Sequence, residues 1–235
     1  MASALRLITA NLLNGRASAE ALAGLVQSAA ADVVAVQELG WEQAEALSSV
    51  LPHGRLEPAD DYSGMGLALR HPAASLSRLA LPYRDARIAR LEPAAWSALE
   101  RPLEIVNVHF AAPTARPWRR HLAYRRAQLA GLHRHFDAQP DAARALVGDF
   151  NATPLWPVYR SLAARFDDLP ARHARERGAP LRATWPAWLP RGPLLRIDHC
   201  FGHALEVASA RAVPLPGSDH LALVVDLRVK GSAGP

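Results

Sequence analysis

The chain has 235 residues, of which half are hydrophobic and 21% are charged, a balance that indicates a folded globular domain and excludes a disordered chain. The lone cysteine, Cys200, excludes an internal disulfide and any multi-cysteine zinc site, and it fits a reducing compartment. The net charge of +5 favours a polyanionic partner, but Lys230 is the single lysine, so the arginine-rich charge also has a compositional explanation.

Short apolar runs that contain β-branched residues recur along the chain and predict β-strands. In chain order these runs are Leu5 to Ile8, Val33 to Val36, Met65 to Leu69, Ile105 to Val108, Leu146 to Val147 and Leu221 to Leu227. Alanine-rich segments with helical spacing predict helices at Ser18 to Ala30, Glu42 to Val50, Arg119 to Phe136 and Pro157 to Arg165. Because strands and helices alternate, we expect an α/β fold whose sheets are covered by helices on their outer faces.

The sequence has no internal repeat, no long low-complexity linker and no apolar run of the roughly 20 residues that cross a bilayer. Its length fits one domain over residues 1–235, and we expect the last few residues to form a disordered tail. The N-terminal sequence lacks a basic leader and a cleavage site. We therefore expect a cytoplasmic protein with no membrane span and no obligate protein partner.

Polar residues stand where several predicted strands end and loops begin. Asn11 follows the first predicted strand, Glu38 follows the second and His109 follows the fourth. Loops that are held by rigid strands are the usual place for binding and catalytic groups. These positions therefore indicate a site at the ends of the strands.

The same arrangement recurs further along the chain. Asp149 and Asn151 follow the fifth predicted strand and are two residues apart, which places both side chains on one side of an extended backbone. The carboxylate can accept a proton from water, and the amide can donate to a phosphoryl oxygen. Later, Asp198 precedes a histidine and Asp219 precedes His220, so that an acid and an imidazole are adjacent twice.

This set of side chains is rich in oxygen donors, contains no thiol and suits metal-assisted hydrolysis of a phosphate ester. The ester is anionic, so the site must offset its charge, polarise its phosphorus and activate water, and a divalent cation does much of this. Mg²⁺ and Mn²⁺ prefer oxygen ligands and keep several waters, so one or two carboxylates such as Glu38 and Asp219 would hold one. We expect Mg²⁺ or Mn²⁺ as the cofactor.

The ordered strings TANLLN, VQE, IVNVHF, GDFNATP, ATW, RIDH and GSDH resemble the endonuclease/exonuclease/phosphatase superfamily, whose fold is shared with pancreatic deoxyribonuclease. The resemblance extends from Asn11 to the end of the chain, and GDFN is its most specific string. It implies a four-layer αββα sandwich, with two mixed β-sheets packed face to face, helices outside and a site at one edge. The overall look is that of a small bacterial member.

The resemblance also implies roles for individual residues. Glu38 would be the principal metal ligand, and Asn11 would be a ligand or its hydrogen-bonded support. Asp219 would be a further ligand on the other side of the metal. Asp149 would orient or deprotonate the attacking water, and Asn151 would hold the phosphate or the water.

Two histidines complete the implied catalytic set. His109 would donate to a phosphate oxygen, and His220 would do so or act as an acid/base, steadied by Asp198. A carboxylate beside an imidazole fixes its tautomer and raises its pKa. The chain departs from the family pattern at Leu13, where some members have an acid, and near Ser63, where the deoxyribonuclease branch has a carboxylate that supports the first histidine. It therefore stays open which group supports that histidine and whether a second metal binds.

Two positions are candidate substrate contacts. Trp185 belongs to the ATW string in a tryptophan-rich loop, and large aromatic side chains on loops often form binding walls. Arg126 ends the segment Arg116 to Arg126, which combines five arginines with aromatic residues and suits a phosphate backbone. A solvated helix face explains the same segment, and we favour that interpretation.

The sequence leaves three functions open. The first is hydrolysis of a phosphodiester with Mg²⁺ or Mn²⁺, in DNA or RNA. The second is a phosphodiesterase or phosphatase that acts on a small-molecule or lipid phosphate, because membership of a fold does not by itself select a substrate. The third is a catalytically silent binding protein of the same fold.

Overall fold

The computed structural model of the chain describes residues 4–230, so the predicted C-terminal tail lies outside the described residues. The helices in this part are α1 Ala19–Ser28, α2 Trp41–Val50, α3 Trp118–Asp137, α4 Pro157–Ala163 and α5 Leu169–Glu176. The strands are β1 Leu5–Asn11, β2 Val33–Gln37, β3 His53–Glu57, β4 Met65–Leu69, β5 Ser75–Leu79, β6 Ala86–Leu91, β7 Leu103–His109, β8 Ala143–Asp149, β9 Asp167–Asp168, β10 Asp198–His203, β11 Leu205–Pro214 and β12 Leu221–Val229. Every predicted strand and helix is found, with its ends shifted by a few residues.

The strands form two six-stranded sheets. The first has the order β11-β12-β1-β2-β4-β3, and the second has the order β5-β6-β7-β8-β10-β9. The central pair of each sheet is parallel, β1 with β2 and β7 with β8. The remaining pairs are antiparallel, so both sheets are mixed, as the resemblance implies.

The two sheets pack face to face around one aliphatic core. Alternate residues of the central strands point inward, so that Leu7 of β1 and Ile105 of β7 lie together in this core. Helices α1 and α2 bury Leu22 and Leu47 against the opposite face of the first sheet. Helices α3 and α4 cover the opposite face of the second sheet, where Leu132 is buried. The result is the expected four-layer sandwich.

Helix α5 lies apart from the outer layers. It contacts β10 and β11, at the side of the sandwich where an edge of each sheet is open. Its first turn is capped by Asp168, whose side chain accepts from the main-chain nitrogen of Ala171 at 3.0 Å. None of the helices within residues 4–230 is both long and apolar enough to cross a membrane.

The strands that the sequence patterns did not predict lie mainly at sheet edges. The four edge strands are β3, β5, β9 and β11, and none of them was predicted. The two other unpredicted strands are β6, which is next to β5, and β10, which is next to β9. Edge strands are paired on one side alone and are partly exposed, so their sequences lack a continuous apolar run. In β5, for example, three of the five residues are exposed.

A polar contact joins the two sheets beneath the ends of the parallel strands. Asn107, which is buried on β7, donates through Nδ2 to the main-chain oxygens of Val36 and Gly66, both at 2.9 Å. Its Oδ1 accepts from Nε2 of Gln37 at 2.6 Å. These bonds fix β7 relative to the first sheet. They thereby position His109, which is two residues further on the same face of the strand.

Candidate active site

The predicted site residues lie at one edge of the sandwich, where the parallel strands of both sheets end. Asn11 of β1 is paired with Gln37 of β2, and His109 of β7 is paired with Asp149 of β8. β10 begins at Asp198, which is paired with Asp149 from the other side. Because the carboxyl ends of parallel strands meet at the same edge, these side chains converge from separate parts of the chain.

Glu38 follows β2 in a left-handed backbone conformation, with φ of 55°. This conformation is uncommon for residues other than glycine and costs on the order of 1 kcal/mol, so surrounding contacts must hold it. The main-chain nitrogen of Asn14 donates to Oε2 of Glu38 at 2.9 Å, and that of Gly15 donates to its main-chain oxygen at 2.9 Å. The loop after β1 therefore fixes the carboxylate that follows β2.

Asn11 holds two carboxylates in place. Its Nδ2 donates to Oε1 of Glu38 and to Oδ2 of Asp149, both at 3.1 Å. Its Oδ1 accepts from the main-chain nitrogen of Leu13 at 2.9 Å, which determines which way the amide faces. Of its two predicted roles, the geometry therefore favours hydrogen-bonded support over direct ligation of a metal.

Asp149 is almost fully buried and is held by the loop that follows it. Its Oδ1 accepts from the main-chain nitrogen of Asn151 at 2.7 Å, and its Oδ2 accepts from Nδ2 of Asn151 at 3.2 Å. Asn151 has a left-handed φ of 46° and also donates to the main-chain oxygen of Phe110 at 3.1 Å. Its amide nitrogen thus supports Asp149, and its predicted contact with phosphate or water stays a prediction.

His109 faces both carboxylates but has no acid behind it. Its Nε2 lies 3.5 Å from Oδ2 of Asp149 and 3.7 Å from Oε1 of Glu38. Its Nδ1 is buried and has no hydrogen-bond partner within residues 4–230, so no carboxylate supports the ring there. Burial, together with the positive charges of Arg84 and His220, lowers the pKa of His109 well below its usual range. Both effects favour the neutral form of the ring.

His220 has the carboxylate partner that His109 lacks. Its Nδ1 is 2.8 Å from Oδ2 of Asp198, and its Nε2 lies 4.0 Å from Oδ2 of Asp149. Burial opposes the charged form of this ring, but the charge and hydrogen bond of Asp198 and the charges of Asp149 and Asp219 outweigh burial and raise the pKa of His220 to about 10. The predicted pairing of His220 with Asp198 is thus present, and Nε2 faces the other carboxylates.

Asp219 is held by the tryptophan-rich loop. Nε1 of Trp185 donates to Oδ2 of Asp219 at 2.8 Å, and the main-chain nitrogen of Ala187 donates to its main-chain oxygen at 2.7 Å. Its Oδ1 is buried without a hydrogen-bond partner among the described residues, 3.8 Å from Nε2 of His220. Trp185 therefore orients Asp219, and its contact with a substrate stays a prediction.

The carboxylates of this site fit a divalent cation. Burial raises the pKa of Glu38, although a hydrogen bond from Asn11 opposes the shift. Burial and the charge of Asp198 raise the pKa of Asp149 to about 7. Both shifts mean that protein groups do not fully offset the negative charge, which a bound cation would do. The unpartnered Oδ1 of Asp219 and the carboxylate oxygens of the site suit a divalent cation.

A second set of candidate ligand atoms lies nearby. Single ligand atoms of Asp149, Asp198 and His220 are all within 4.8 Å of one another. Asp198 and His220 share a hydrogen bond through Nδ1 of His220, which leaves Nε2 as the ring atom that could bind an ion. Oδ1 of Asp219 has no hydrogen-bond partner among the described residues, so this oxygen could bind an ion without losing a bond.

The predicted substrate contact Arg126 is not brought into the site. It is exposed on α3 and makes no hydrogen bond or ion pair among the described residues. Its neighbour Arg125 is buried instead and donates through Nη1 to the main-chain oxygens of Ala111 and Phe150, at 2.6 and 3.2 Å. Gln128, three residues further, donates through Nε2 to the main-chain oxygen of His109 at 3.2 Å. Residues three apart lie on one helix face, a spacing by which the sequence could have identified Arg125.

Arg84 is a further charged residue that the sequence patterns did not single out. It lies two residues before β6, whose Arg87 is paired with Asn107 of β7, so Arg84 stands at the same sheet edge as His109. Its charge acts on both Glu38 and His109. No motif marks this position, so the sequence alone gave no signal for it.

The fold is similar to those of several solved structures, each less than 25% identical in sequence. An endonuclease/exonuclease/phosphatase from Bacteroides vulgatus is 18% identical, with 97% of this chain and 100% of that chain covered and a TM-score of 0.75. D. rerio TDP2 complexed with single strand DNA product is 16% identical, with 96% and 99% covered and a TM-score of 0.70. The human Nocturnin catalytic domain with bound sulfate is 22% identical, with 95% and 94% covered and a TM-score of 0.65.

Sequence comparison gives the family directly. No curated protein matches the chain significantly. The profile of the Endonuclease/Exonuclease/phosphatase family, however, matches residues 8–220, which include every predicted site residue. The chain therefore belongs to the Endonuclease/Exonuclease/phosphatase family.

Proposed function

We propose that this protein is a divalent-metal-dependent phosphodiester hydrolase that acts on DNA or RNA. The observation that carries the proposal is the convergence of Glu38, Asp149 and Asp219 with two histidines at one edge of the sandwich. Acids placed this closely are costly to bury without a counter-charge. A divalent cation together with an anionic ester would use both the negative and the positive groups of such a site.

Glu38 and Asp219 would hold the cation, and Asn11 would keep Glu38 in place through its amide. Mg²⁺ or Mn²⁺, when bound, would supply positive charge that polarises the phosphoryl group. Trp185 would keep Asp219 oriented, because its indole nitrogen donates to one carboxylate oxygen and leaves the other free.

The remaining residues would handle water and phosphate. Asp149 would accept a proton from the attacking water, since its Oδ2 faces the Nε2 atoms of both histidines and lies within the site. His220, with Nδ1 bonded to Asp198, would donate from Nε2 to a phosphate oxygen. His109, as a neutral ring, would also donate from Nε2 to a phosphate oxygen.

Two observations support nucleic acid as the substrate over a small or lipid phosphate. The chain carries a net charge of +5, which favours a polyanion. D. rerio TDP2, which has a similar fold, has been solved with a single strand DNA product. A small-molecule or lipid phosphate is the alternative that the experiment below separates.

The experiment is a hydrolysis panel of single-stranded, duplex and abasic DNA, RNA, and simple mono- and diesters, each with Mg²⁺ or Mn²⁺ and with chelator. We expect metal-dependent cleavage of a nucleic acid and a loss of kcat of roughly 100-fold to 10,000-fold in Asp149→Ala. Glu38→Ala should weaken the response to metal. Glu45→Ala, which removes an exposed acid from α2, is the matched control and should behave as wild type.

The proposal fails if no substrate of the panel is hydrolysed with either metal, or if the Asp149 and Glu38 variants match wild type. Cleavage confined to the simple esters would keep a metal-dependent phosphoesterase and remove the nuclease assignment. Absence of hydrolysis on every substrate would favour the third possibility, a binding protein of the same fold.

A further inference from the structure

Three aromatic side chains pack together beside the site and form what we call the aromatic ledge, which consists of Tyr83, His121 and Tyr124. Tyr83 is exposed, Tyr124 is half-buried and His121 is buried. Tyr83 and Tyr124 are stacked, with ring centroids 5.5 Å apart and an interplanar angle of 27°. The ring of His121 meets both edge-on, at 5.3 and 6.0 Å. Tyr83 is 43% exposed although it is a large aromatic residue. The side chain of Tyr83 is therefore accessible to solvent.

The backbone is held in an unfavourable conformation to place this ledge. Tyr83 has a φ of 75°, which is rare for a residue with a bulky side chain. Such strain persists where neighbouring contacts impose it, and it occurs often at binding sites. Tyr83 lies in the loop between β5 and β6, whereas His121 and Tyr124 lie in the first two turns of α3. Two separate elements thus build one surface.

Helix α3 links the aromatic ledge to the active site. Gln128 contacts the main chain of His109, Arg125 contacts that of Ala111, and His121 contacts Tyr83, so one helix face follows the loop away from the site. His121 and Gln128 are seven positions apart, which corresponds to about 10 Å at the α-helical rise. Stacked nucleotides rise about 3.4 Å each, so about three nucleotides, or fewer in an extended strand, cover this distance.

Positive charge lines the same path. The guanidinium of Arg84 lies 4.5 Å from the centre of the Tyr83 ring, and that of Arg120 lies 5.3 Å from the centre of the Tyr124 ring. Within residues 4–230, neither guanidinium has an acidic partner within 4 Å. His121 is about nine-tenths buried, and its Nδ1 has no hydrogen-bond partner there. Two guanidinium groups therefore lie next to the rings without an ion-pair partner among the described residues.

We propose that the aromatic ledge binds an unpaired nucleobase of the substrate strand while Arg84 and Arg120 contact the adjoining phosphates. The inference rests on the proposed function, because it names the strand that the same site would cleave. A partly exposed tyrosine ring next to guanidinium groups that have no acidic partner suits a base and its phosphate, because a base can stack on an aromatic ring or on an arginine plane. Bases in a duplex are already stacked on each other, so the enzyme acts on single-stranded regions.

The test measures binding in chelator, where no cleavage occurs, by fluorescence anisotropy with a labelled ten-nucleotide deoxythymidine strand. An abasic strand of the same length and a duplex serve as comparison ligands. Wild type should bind the thymidine strand more tightly than either. Tyr83→Ala and Tyr124→Ala should weaken binding of the thymidine strand by roughly 5-fold to 150-fold, as expected for loss of one stacked base, and should leave binding of the abasic strand as it is in wild type.

Conservative variants keep the test decisive. Tyr83→Phe and Tyr124→Phe retain the rings and should bind the thymidine strand like wild type, and thermal unfolding checks that each alanine variant is folded. Arg84→Ala should weaken binding of all strands alike and reduce the salt dependence by about one unit of slope. Equal binding of the thymidine and abasic strands by wild type, or alanine variants that bind the thymidine strand as the phenylalanine variants do, would overturn the inference.

Failure of this inference is distinguishable from failure of the proposed function. Metal-dependent cleavage by wild type tests the active site, whereas base-dependent binding in chelator tests the aromatic ledge. Cleavage without base-dependent binding would keep the hydrolase and reject the ledge. Base-dependent binding without cleavage of any substrate would support the aromatic ledge as a binding surface and reject the hydrolase.

Discussion

His109 and His220 face the same carboxylate from different environments. Each places Nε2 near Oδ2 of Asp149, at 3.5 Å and 4.0 Å respectively. His220 is bonded to Asp198 through Nδ1, whereas the Nδ1 of His109 is buried without a partner among the described residues. The charged form of His220 is thus favoured by an adjacent acid, whereas burial favours the neutral form of His109. At the scale of single residues, this asymmetry makes Asp198 a sensitive position.

We predict that Asp198→Asn lowers kcat by roughly 100-fold with little change in KM, because asparagine keeps an acceptor for Nδ1 of His220 but removes the charge that favours the imidazolium. Steady-state kinetics on the substrate identified by the hydrolysis panel measure both constants. Asp141→Asn makes the same chemical change at an exposed position and should behave as wild type. A kcat in Asp198→Asn equal to that of the control would remove Asp198 from the catalytic set.

Helix α3 positions the loops that carry the catalytic groups. Arg125 lies between the rings of Phe110 and Trp156 and donates to main-chain oxygens of the loops after β7 and β8. Burial lowers its pKa to about 10, and its Nη2 has no hydrogen-bond partner among the described residues. Burial of a charged guanidinium without a full set of hydrogen bonds opposes folding. The hydrogen bonds of Arg125 nevertheless connect α3 to the loops that follow β7 and β8.

We predict that Arg125→Met lowers the free energy of unfolding by about 2 kcal/mol, since it leaves buried main-chain oxygens without their charged donor. Urea denaturation measures the change. Arg126→Met alters the adjacent, exposed arginine and is the matched control, with an expected change of less than about 0.5 kcal/mol. Equal destabilisation by the two variants would show that the buried hydrogen bonds of Arg125 contribute nothing.

The elements that could be predicted from the sequence are those in which pattern and position coincide. Asn11, Glu38 and His109 each follow a buried strand, and the strand order brings them to one edge as the resemblance implies. Edge strands such as β5 were missed because they are exposed and lack apolar runs. Arg126 was one of two candidate substrate contacts, with a solvated helix face as the favoured interpretation of its segment, and it is exposed, whereas Arg125 is buried. The sequence gives no signal for Tyr83, because its contacts with His121 and Tyr124 depend on a loop meeting helix α3 in space.

At the level of the whole molecule, one end of the sandwich carries the candidate site, and the other end carries polar contacts between a sheet and its covering helix. β7 runs from Leu103 to His109, so its last residue lies in the site and Glu104 lies near the opposite end. There Glu104 is paired with Arg144 of β8, and its Oε2 is 3.0 Å from Nε2 of His135 on α3. Arg144 is buried, so this contact joins a sheet to its covering helix. Stability at this end can therefore be tested without disturbing the site.

Burial alone would raise the pKa of Glu104, but hydrogen bonds from His135 and Arg144 and their charges outweigh burial, and the pKa is lowered from its ordinary value of 4.5. A carboxyl whose pKa is depressed by folding stabilises the folded state fully above its unfolded pKa. This contribution is lost as the pH falls through the folded pKa. The relevant window therefore lies below pH 4.5, where protonation leaves Arg144 buried without its partner.

We predict that Glu104→Gln lowers the free energy of unfolding by about 3 kcal/mol at neutral pH, because it leaves the buried guanidinium of Arg144 unpaired. The difference from wild type should shrink as the pH falls below 4.5, since the wild-type carboxyl then also loses its charge. Urea denaturation between pH 7 and acid measures it, with the exposed Glu206→Gln as the matched control. A difference that stays constant across this window would mean that the charge of Glu104 does not stabilise the fold.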